Sequence, residues 1–178
     1  MLDKEIFKKT EGQLYGYFRD LKEIELLEIE CRDLQEQEKN IEWDIEHCNV
    51  YVSPDSHMSP SFSERVQTSP TGEGVAEKGI IREIEKLEDE LDYVRRRLLR
   101  NRARIRKLNR GITHLKKVLT VPPLSKEMMD FVVYKYKLSK SINYIANEMY
   151  GGVRSTAYRR REEILEDIVK WESLYNNK

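Results

Sequence analysis

The 178-residue sequence has no long apolar run, few glycines and prolines, and only two cysteines. A helix that crosses a bilayer needs about 20 consecutive, mostly apolar residues, so we expect no membrane span. The N-terminal residues contain no apolar segment like that of a secretory signal. Cys31 and Cys48 are too few for a disulfide framework, which favours a reducing compartment. We therefore expect a cytoplasmic protein.

Sequence features of enzymes are also missing. No glycine-rich loop of the P-loop or Rossmann kind is present. His47 stands beside Cys48, but no further residues follow at the spacing of a zinc site. Apolar residues make up 39% of the chain, which leaves few to line a large dry pocket. We predict that the protein is not an enzyme and uses no cofactor and no metal.

The charges that are present are distributed unevenly. The 32 basic and 32 acidic residues cancel, yet residues 1–50 carry 14 acidic and 7 basic side chains. Residues 80–120 carry 6 acidic and 13 basic ones, and the segment from Arg95 to Lys117 has 11 basic residues and no acidic one. Such a segment attracts either a polyanion or the acidic part of its own chain.

Composition divides the chain into four regions. Residues 1–52 are predicted to form an acidic helical region, with Cys31 and Cys48 on its buried face. Residues 53–79 contain three Ser-Pro pairs and three glycines, which predicts a flexible loop. Residues 80–120 are predicted to form a basic coiled-coil helix, and residues 121–178 form the fourth region, a C-terminal helical domain.

The region 80–120 has the clearest periodicity. Twelve positions from Ile80 to Leu119 alternate at spacings of four and three, and eleven of them are apolar. This 3.5-residue period predicts the core of a coiled coil, in which the polar Asn101 is a candidate for fixing the register. The partner helix is either the acidic first helix, folded back as a hairpin, or the same helix of another subunit. Charge complementarity allows both.

Helix signals in the last region predict a helix-turn-helix. Pro122 and Pro123 end the long helix, and Ser125 and Ser141 are predicted to cap two short ones. Gly151-Gly152 ends the second short helix, and a third begins near Val153 or Arg154. In a helix-turn-helix the helix after the turn reads base edges in the major groove.

Polar and cationic side chains open this last helix, and we expect them to be exposed. Arginine can bind guanine through two hydrogen bonds, and serine or threonine can bind phosphates or bases. The candidate DNA-binding residues are Ser141, Asn143, Arg154, Ser155, Thr156, Tyr158, Arg159, Arg160 and Arg161, with Lys140, Lys116 and Lys117 as candidate phosphate contacts. The predicted inner face of the helix is Ala157, Ile164, Leu165, Ile168, Trp171, Leu174 and Tyr175.

The C-terminal part resembles the helix-turn-helix of phage late transcription regulators of the ArpU/RinA type, which is similar to region 4 of sigma factors. The resemblance lies in Tyr136, in Ile145-Ala146 and in the segment from Arg154 to Arg161, and it is clearest over 124–165. Gly152 departs from it, since a serine cap is common there. The resemblance implies a phage or prophage regulator that binds promoter DNA and activates late packaging and morphogenesis genes. The implied location is the cytoplasm and nucleoid of a bacterial host, with double-stranded DNA and host RNA polymerase as partners.

Together these features predict an all-α protein, with a long helical hairpin or coiled coil followed by a small C-terminal helix-turn-helix domain. A coiled coil beside a DNA-binding module favours a homo-oligomer, either a dimer or a tetramer. Two other functions combine similar parts. One is a DNA-packaging adaptor like a small terminase subunit, although such proteins usually carry the DNA module at the N-terminus. The other is a coiled-coil scaffold that binds protein and not DNA.

Overall fold

A computed structural model describes residues 3–52, 75–120 and 124–176, and these residues form helices and connecting turns without any strand. The helices are α1 (Lys4–Glu46), α2 (Val75–Thr120), α3 (Lys126–Val132), α4 (Ile142–Tyr150) and α5 (Arg154–Asn176). The last turn of α3 runs on as a π-helical turn over Val133–Lys137. The all-α prediction is confirmed. In these three segments no helix is both long and apolar enough to cross a membrane.

The first long helix ends earlier than predicted. Beyond Glu46 the chain turns, and the Asn49 side chain and backbone N–H both donate to Asp44, at 2.7 and 2.8 Å. Cys48 lies in this turn with a positive φ of 50° and is exposed. The prediction that Cys48 is buried is therefore wrong, whereas Cys31 is buried inside α1 as expected.

The second long helix begins earlier than predicted. It starts at Val75, so Gly79 is helical and does not belong to a loop. A Cβ atom at Gly79 would come within 2.6 Å of Val52 Cγ1, so glycine here accommodates the close approach of that side chain. The rest of the predicted loop, residues 53–74, and the predicted helix stop at Pro122-Pro123 lie outside the described residues.

The chain divides into two compact units, and the first is Ile29–Ala103. Its parts of α1 and α2 are antiparallel, because Arg97 Nε donates to Glu30 at 2.7 Å while Arg95 binds Glu38 and Glu42 at 2.9 and 2.6 Å. Its buried core residues are Cys31, Leu34, Ile41, Leu91, Val94 and Leu98. In this unit, then, the acidic helix of the same chain is the partner of α2.

The second unit contains residues 1–28 and 104–178. Its parts of α1 and α2 also pair, through Ile24 against Leu108 and Ile112 and through a 2.7 Å bond from Arg104 Nε to Glu23 Oε1. Of the twelve periodic positions in α2, all except Ile80 are buried or half-buried. The predicted periodic face is confirmed, and α1 lies against it in each unit.

The three C-terminal helices, α3, α4 and α5, share a core with both long ones. The largest cluster of buried residues includes Leu14, Val118, Leu119, Phe131, Val132, Ile145, Ala146, Ala157, Ile164, Leu165 and Ile168. Residues 124–176 thus pack on the start of α1 and the end of α2, and the compact unit extends beyond the predicted domain of residues 121–178. Ser125 caps α3 as predicted, because its hydroxyl accepts a bond from the Met128 N–H at 3.3 Å.

Candidate nucleic-acid interface

The start of α4 is set by a capping serine. Ser141 has extended backbone angles, and its hydroxyl accepts a hydrogen bond from the Tyr144 N–H at 3.2 Å, as predicted. Lys140 is exposed, with its Nζ atom 4.9 Å from the centre of the Tyr144 ring. Asn143 is exposed in the first turn of α4. Three of the candidate residues therefore lie on the surface at this end of α4.

A three-residue turn joins α4 to α5. Gly151 and Gly152 have φ angles of 55° and 86°, which residues with a Cβ atom rarely adopt. The Gly152 N–H donates to Ala146 O at 2.8 Å, and the Val153 N–H donates to Tyr150 O at 3.1 Å. Helix α5 begins at Arg154, so Val153, and not Gly152, is the residue that precedes it. The turn is short because two adjacent glycines supply left-handed backbone.

Helix α5 has a packed face and an exposed face. Ala157, Ile164, Leu165 and Ile168 have no exposed surface, and Trp171 is half-buried. The predicted inner face is confirmed over these positions, while the side chains of Leu174 and Tyr175 lie outside the described ones. The opposite side of the first two turns exposes Arg154, Ser155, Tyr158 and Arg159, with Thr156 half-buried beside them. The Arg159 side chain is 73% exposed, and its Nε lies 3.6 Å from Glu163 Oε1.

Arg160, unlike its neighbour Arg159, is half-buried. Its guanidinium lies between two carboxylates, with Nη1 2.7 Å from Glu163 Oε2 and Nε 3.2 Å from Glu127 Oε1. Glu127 belongs to α3, so this arginine connects α5 to α3. Burial and the nearby Glu127 raise the pKa of Tyr150 to about 12. The prediction that Arg160 is exposed is wrong, because the residue is half-buried and its ion pair with Glu127 holds it against α3.

Arg161 is turned toward the core. Its side chain is 21% exposed, its Nε donates to Glu11 Oε1 at 2.8 Å, and its guanidinium lies 4.8 Å from the centre of the Phe7 ring. Tyr136 donates to the same Glu11 oxygen at 3.0 Å, and burial together with the Glu11 charge raises the pKa of Tyr136 well above its ordinary value. The prediction that Arg161 is exposed is also wrong, because it lies on the packed side of α5.

The basic residues of α2 include some that pair with carboxylates of the same chain and others that are exposed. Arg104 donates a hydrogen bond to Glu23 of α1, and this bond lowers the pKa of the Glu23 carboxyl group. The candidate phosphate contacts Lys116 and Lys117 are exposed. Arg106, Lys107 and Arg110, which were not among the predicted residues, are exposed as well. Helical spacing was the signal that could have separated these residues from Arg104. Arg104 lies seven residues after Arg97 and, like it, flanks the periodic face, whereas Arg106, Lys107 and Arg110 lie on the opposite side.

Among the His, Cys, Asp and Glu side chains of the described segments, no group of three is arranged to hold a metal ion. His114 Nδ1 approaches Glu172 at 4.0 Å, which joins α2 to α5. Comparison with known protein families, with curated proteins and with solved structures found no match to this chain.

Proposed function

We propose that α4 and α5 form a helix-turn-helix and that the protein is a sequence-specific regulator that binds double-stranded DNA. The observation that carries the proposal is the exposed face of the first two turns of α5, with Arg154, Ser155, Tyr158 and Arg159. These side chains follow a tight turn, and the other face of the same helix is fully packed. The residues that open a recognition helix are those that meet base edges in the major groove.

Each exposed residue type fits this role. An arginine can form two hydrogen bonds with guanine O6 and N7, and each such pair discriminates by about 1–3 kcal/mol against a wrong base. Serine and tyrosine hydroxyls can contact phosphates and so fix the register of the protein on the duplex. Two of the nine predicted DNA-binding residues, Arg160 and Arg161, have a structural role instead. They attach α5 to α3 and α1, and a reading helix held in place loses less entropy on binding.

The biological setting is proposed from the resemblance of residues 124–165 to phage late regulators. On that basis the protein activates late genes in a bacterial host, and host RNA polymerase is its partner. A dimer or tetramer would place two reading helices on one duplex, with half-sites separated by whole turns of about 10–10.5 base pairs.

Selection of random duplexes by the purified full-length chain, followed by sequencing, tests the proposal. We expect one enriched motif, with two-fold symmetry if two chains bind together. Binding without enrichment of any motif would contradict sequence-specific reading. The native mass should be measured on the same sample, because a ring of eight or more subunits would instead favour a DNA-packaging adaptor.

A further inference from the structure

A second cationic surface lies on α2, in the same compact unit as α5. Core positions Ile105, Leu108 and Ile112 face α1, and the residues on the opposite side of the helix point away from it. Four basic side chains occupy that opposite side and are exposed: Arg106, Lys107, Arg110 and Lys117. We refer to these four residues as the outer cations of α2.

The outer cations differ in their partners from Arg95, Arg97 and Arg104, which bind carboxylates of α1. Arg104, which flanks the core, is bound to Glu23 of α1 at 2.7 Å. Across residues 3–52, 75–120 and 124–176, by contrast, no carboxylate pairs with any outer cation. Arg110 Nε donates at 3.3 Å to the Arg106 carbonyl oxygen, a bond inside the same helix. The acidic helix α1 therefore pairs with Arg95, Arg97 and Arg104 and leaves the outer cations to solvent.

The outer cations are spread over a length that corresponds to several phosphates of a duplex. From Arg106 to Lys117 the helix rises about 16 Å at 1.5 Å per residue. Duplex DNA carries one charge per roughly 1.7 Å of its axis, so the same length presents about nine phosphates. No acidic residue lies among these cations in the sequence, because the segment from Arg95 to Lys117 contains none. Contacts between cationic side chains and phosphates position a protein on the duplex but carry no sequence information.

We propose that the outer cations of α2 bind the phosphate backbone of double-stranded DNA without regard to sequence. The inference rests on the proposed function, since it takes the ligand of α5 to be a duplex and adds a second contact with the same class of ligand. The two surfaces then have different roles in DNA binding. The exposed face of α5 selects the site, and the outer cations contribute affinity for any duplex.

The test compares two full-length variants, each with four positive charges removed. One changes the outer cations to glutamine, as Arg106→Gln, Lys107→Gln, Arg110→Gln and Lys117→Gln. The control changes four exposed basic residues elsewhere, as Lys22→Gln, Arg32→Gln, Lys39→Gln and Arg82→Gln. Binding to a 30-base-pair duplex of random sequence is measured by fluorescence anisotropy between 50 and 200 mM salt, and urea unfolding checks that both variants are folded.

We expect the outer-cation variant to bind the random duplex at least about 10-fold more weakly than the wild type, with the control unchanged. The slope of log K against log salt should fall in magnitude by about 0.9 for each phosphate that the variant no longer neutralises, hence by about 3–4 in all. An unchanged slope, or equally weakened binding in both variants, would overturn the proposal. So would unchanged duplex binding together with abolished binding to vesicles that contain phosphatidylglycerol.

The same data separate this inference from the proposed function. If the wild type prefers its selected motif over the random duplex and the outer-cation variant keeps that ratio, α5 reads sequence as proposed. If the wild type shows no preference, reading by α5 fails, while a reduced salt slope in the variant still supports the outer cations as a phosphate-binding surface.

Discussion

Arg161 Nε donates a 2.8 Å hydrogen bond to Glu11 Oε1, across 150 positions of the sequence. Tyr136 donates to the same carboxylate oxygen from the π-helical turn that follows α3. One carboxylate of α1 therefore binds two elements of the C-terminal region. Because Arg161 lies on the packed side of α5, this contact fixes the rotation of the helix about its axis. That rotation determines which side chains of α5 face outward.

Replacing Glu11 should destabilise the protein. In Glu11→Gln the Arg161 guanidinium stays mostly buried beside Phe7 without a charged acceptor, and such a change costs about 1–3 kcal/mol. The free energy of unfolding in urea measures the effect. Glu5→Gln, an exposed change on the same helix, is the control and should stay within about 0.5 kcal/mol of the wild type. Equal stabilities for the two variants would show that the contact does not hold α5.

Adjacent arginines of α5 should have different effects when replaced. Arg159→Ala removes a side chain that is 73% exposed, and we expect it to weaken binding to the selected motif by about 1–3 kcal/mol without changing the unfolding free energy. Arg160→Ala removes the connection to Glu127, and we expect it to lower the unfolding free energy by about 1 kcal/mol. Anisotropy titrations and urea curves of both variants separate the two roles. If the Arg159→Ala variant binds the motif as tightly as the wild type, Arg159 does not read bases.

The position of Arg161 could have been predicted in part. Residues 157, 161, 164, 165 and 168 fall on one face of a helix, so the apolar pattern of α5 already placed this arginine among core positions. It was nevertheless predicted to be exposed, together with the other polar and cationic residues that open the helix. Its partner could not be predicted, since no local pattern relates Glu11 to a residue 150 positions away.

The pairing of the long helices shows a similar limit. The heptad pattern of α2 identified its buried face, from Ile84 to Leu119, because burial follows the period directly. The partner remained open, because the acidic start and basic end of α2 would also complement a second copy of the same helix. Bonds from Arg97 to Glu30 in one unit and from Arg104 to Glu23 in the other assign α1.

Replacing either Gly151 or Gly152 of the turn should destabilise the protein. Gly151→Ala and Gly152→Ala place a Cβ atom on backbone with positive φ, which costs about 1–2 kcal/mol at each position. Helical glycines provide a control of opposite sign, because a Cβ atom at Gly12 or Gly111 would meet nothing within 4 Å. Gly12→Ala and Gly111→Ala should stabilise the protein by about 0.5–1 kcal/mol each. Urea unfolding measures all four variants, and a tolerated Gly152→Ala would contradict the observed turn.

Asn101 is the polar exception in the periodic face of α2, and its replacement should raise stability. Its Nδ2 atom is buried and has no hydrogen-bond partner among the described residues, and an unsatisfied group of this kind costs about 1–3 kcal/mol. We expect Asn101→Leu to raise the unfolding free energy by about 1 kcal/mol. Asn109→Leu, an exposed change of the same type on the same helix, should leave the unfolding free energy within about 0.5 kcal/mol of the wild type.

If Asn101 fixes the register, native mass spectrometry should find additional oligomeric states in the Asn101→Leu variant, since a fully apolar face no longer penalises other pairings. A more stable variant with a single, unchanged mass would show that Asn101 costs stability without controlling assembly.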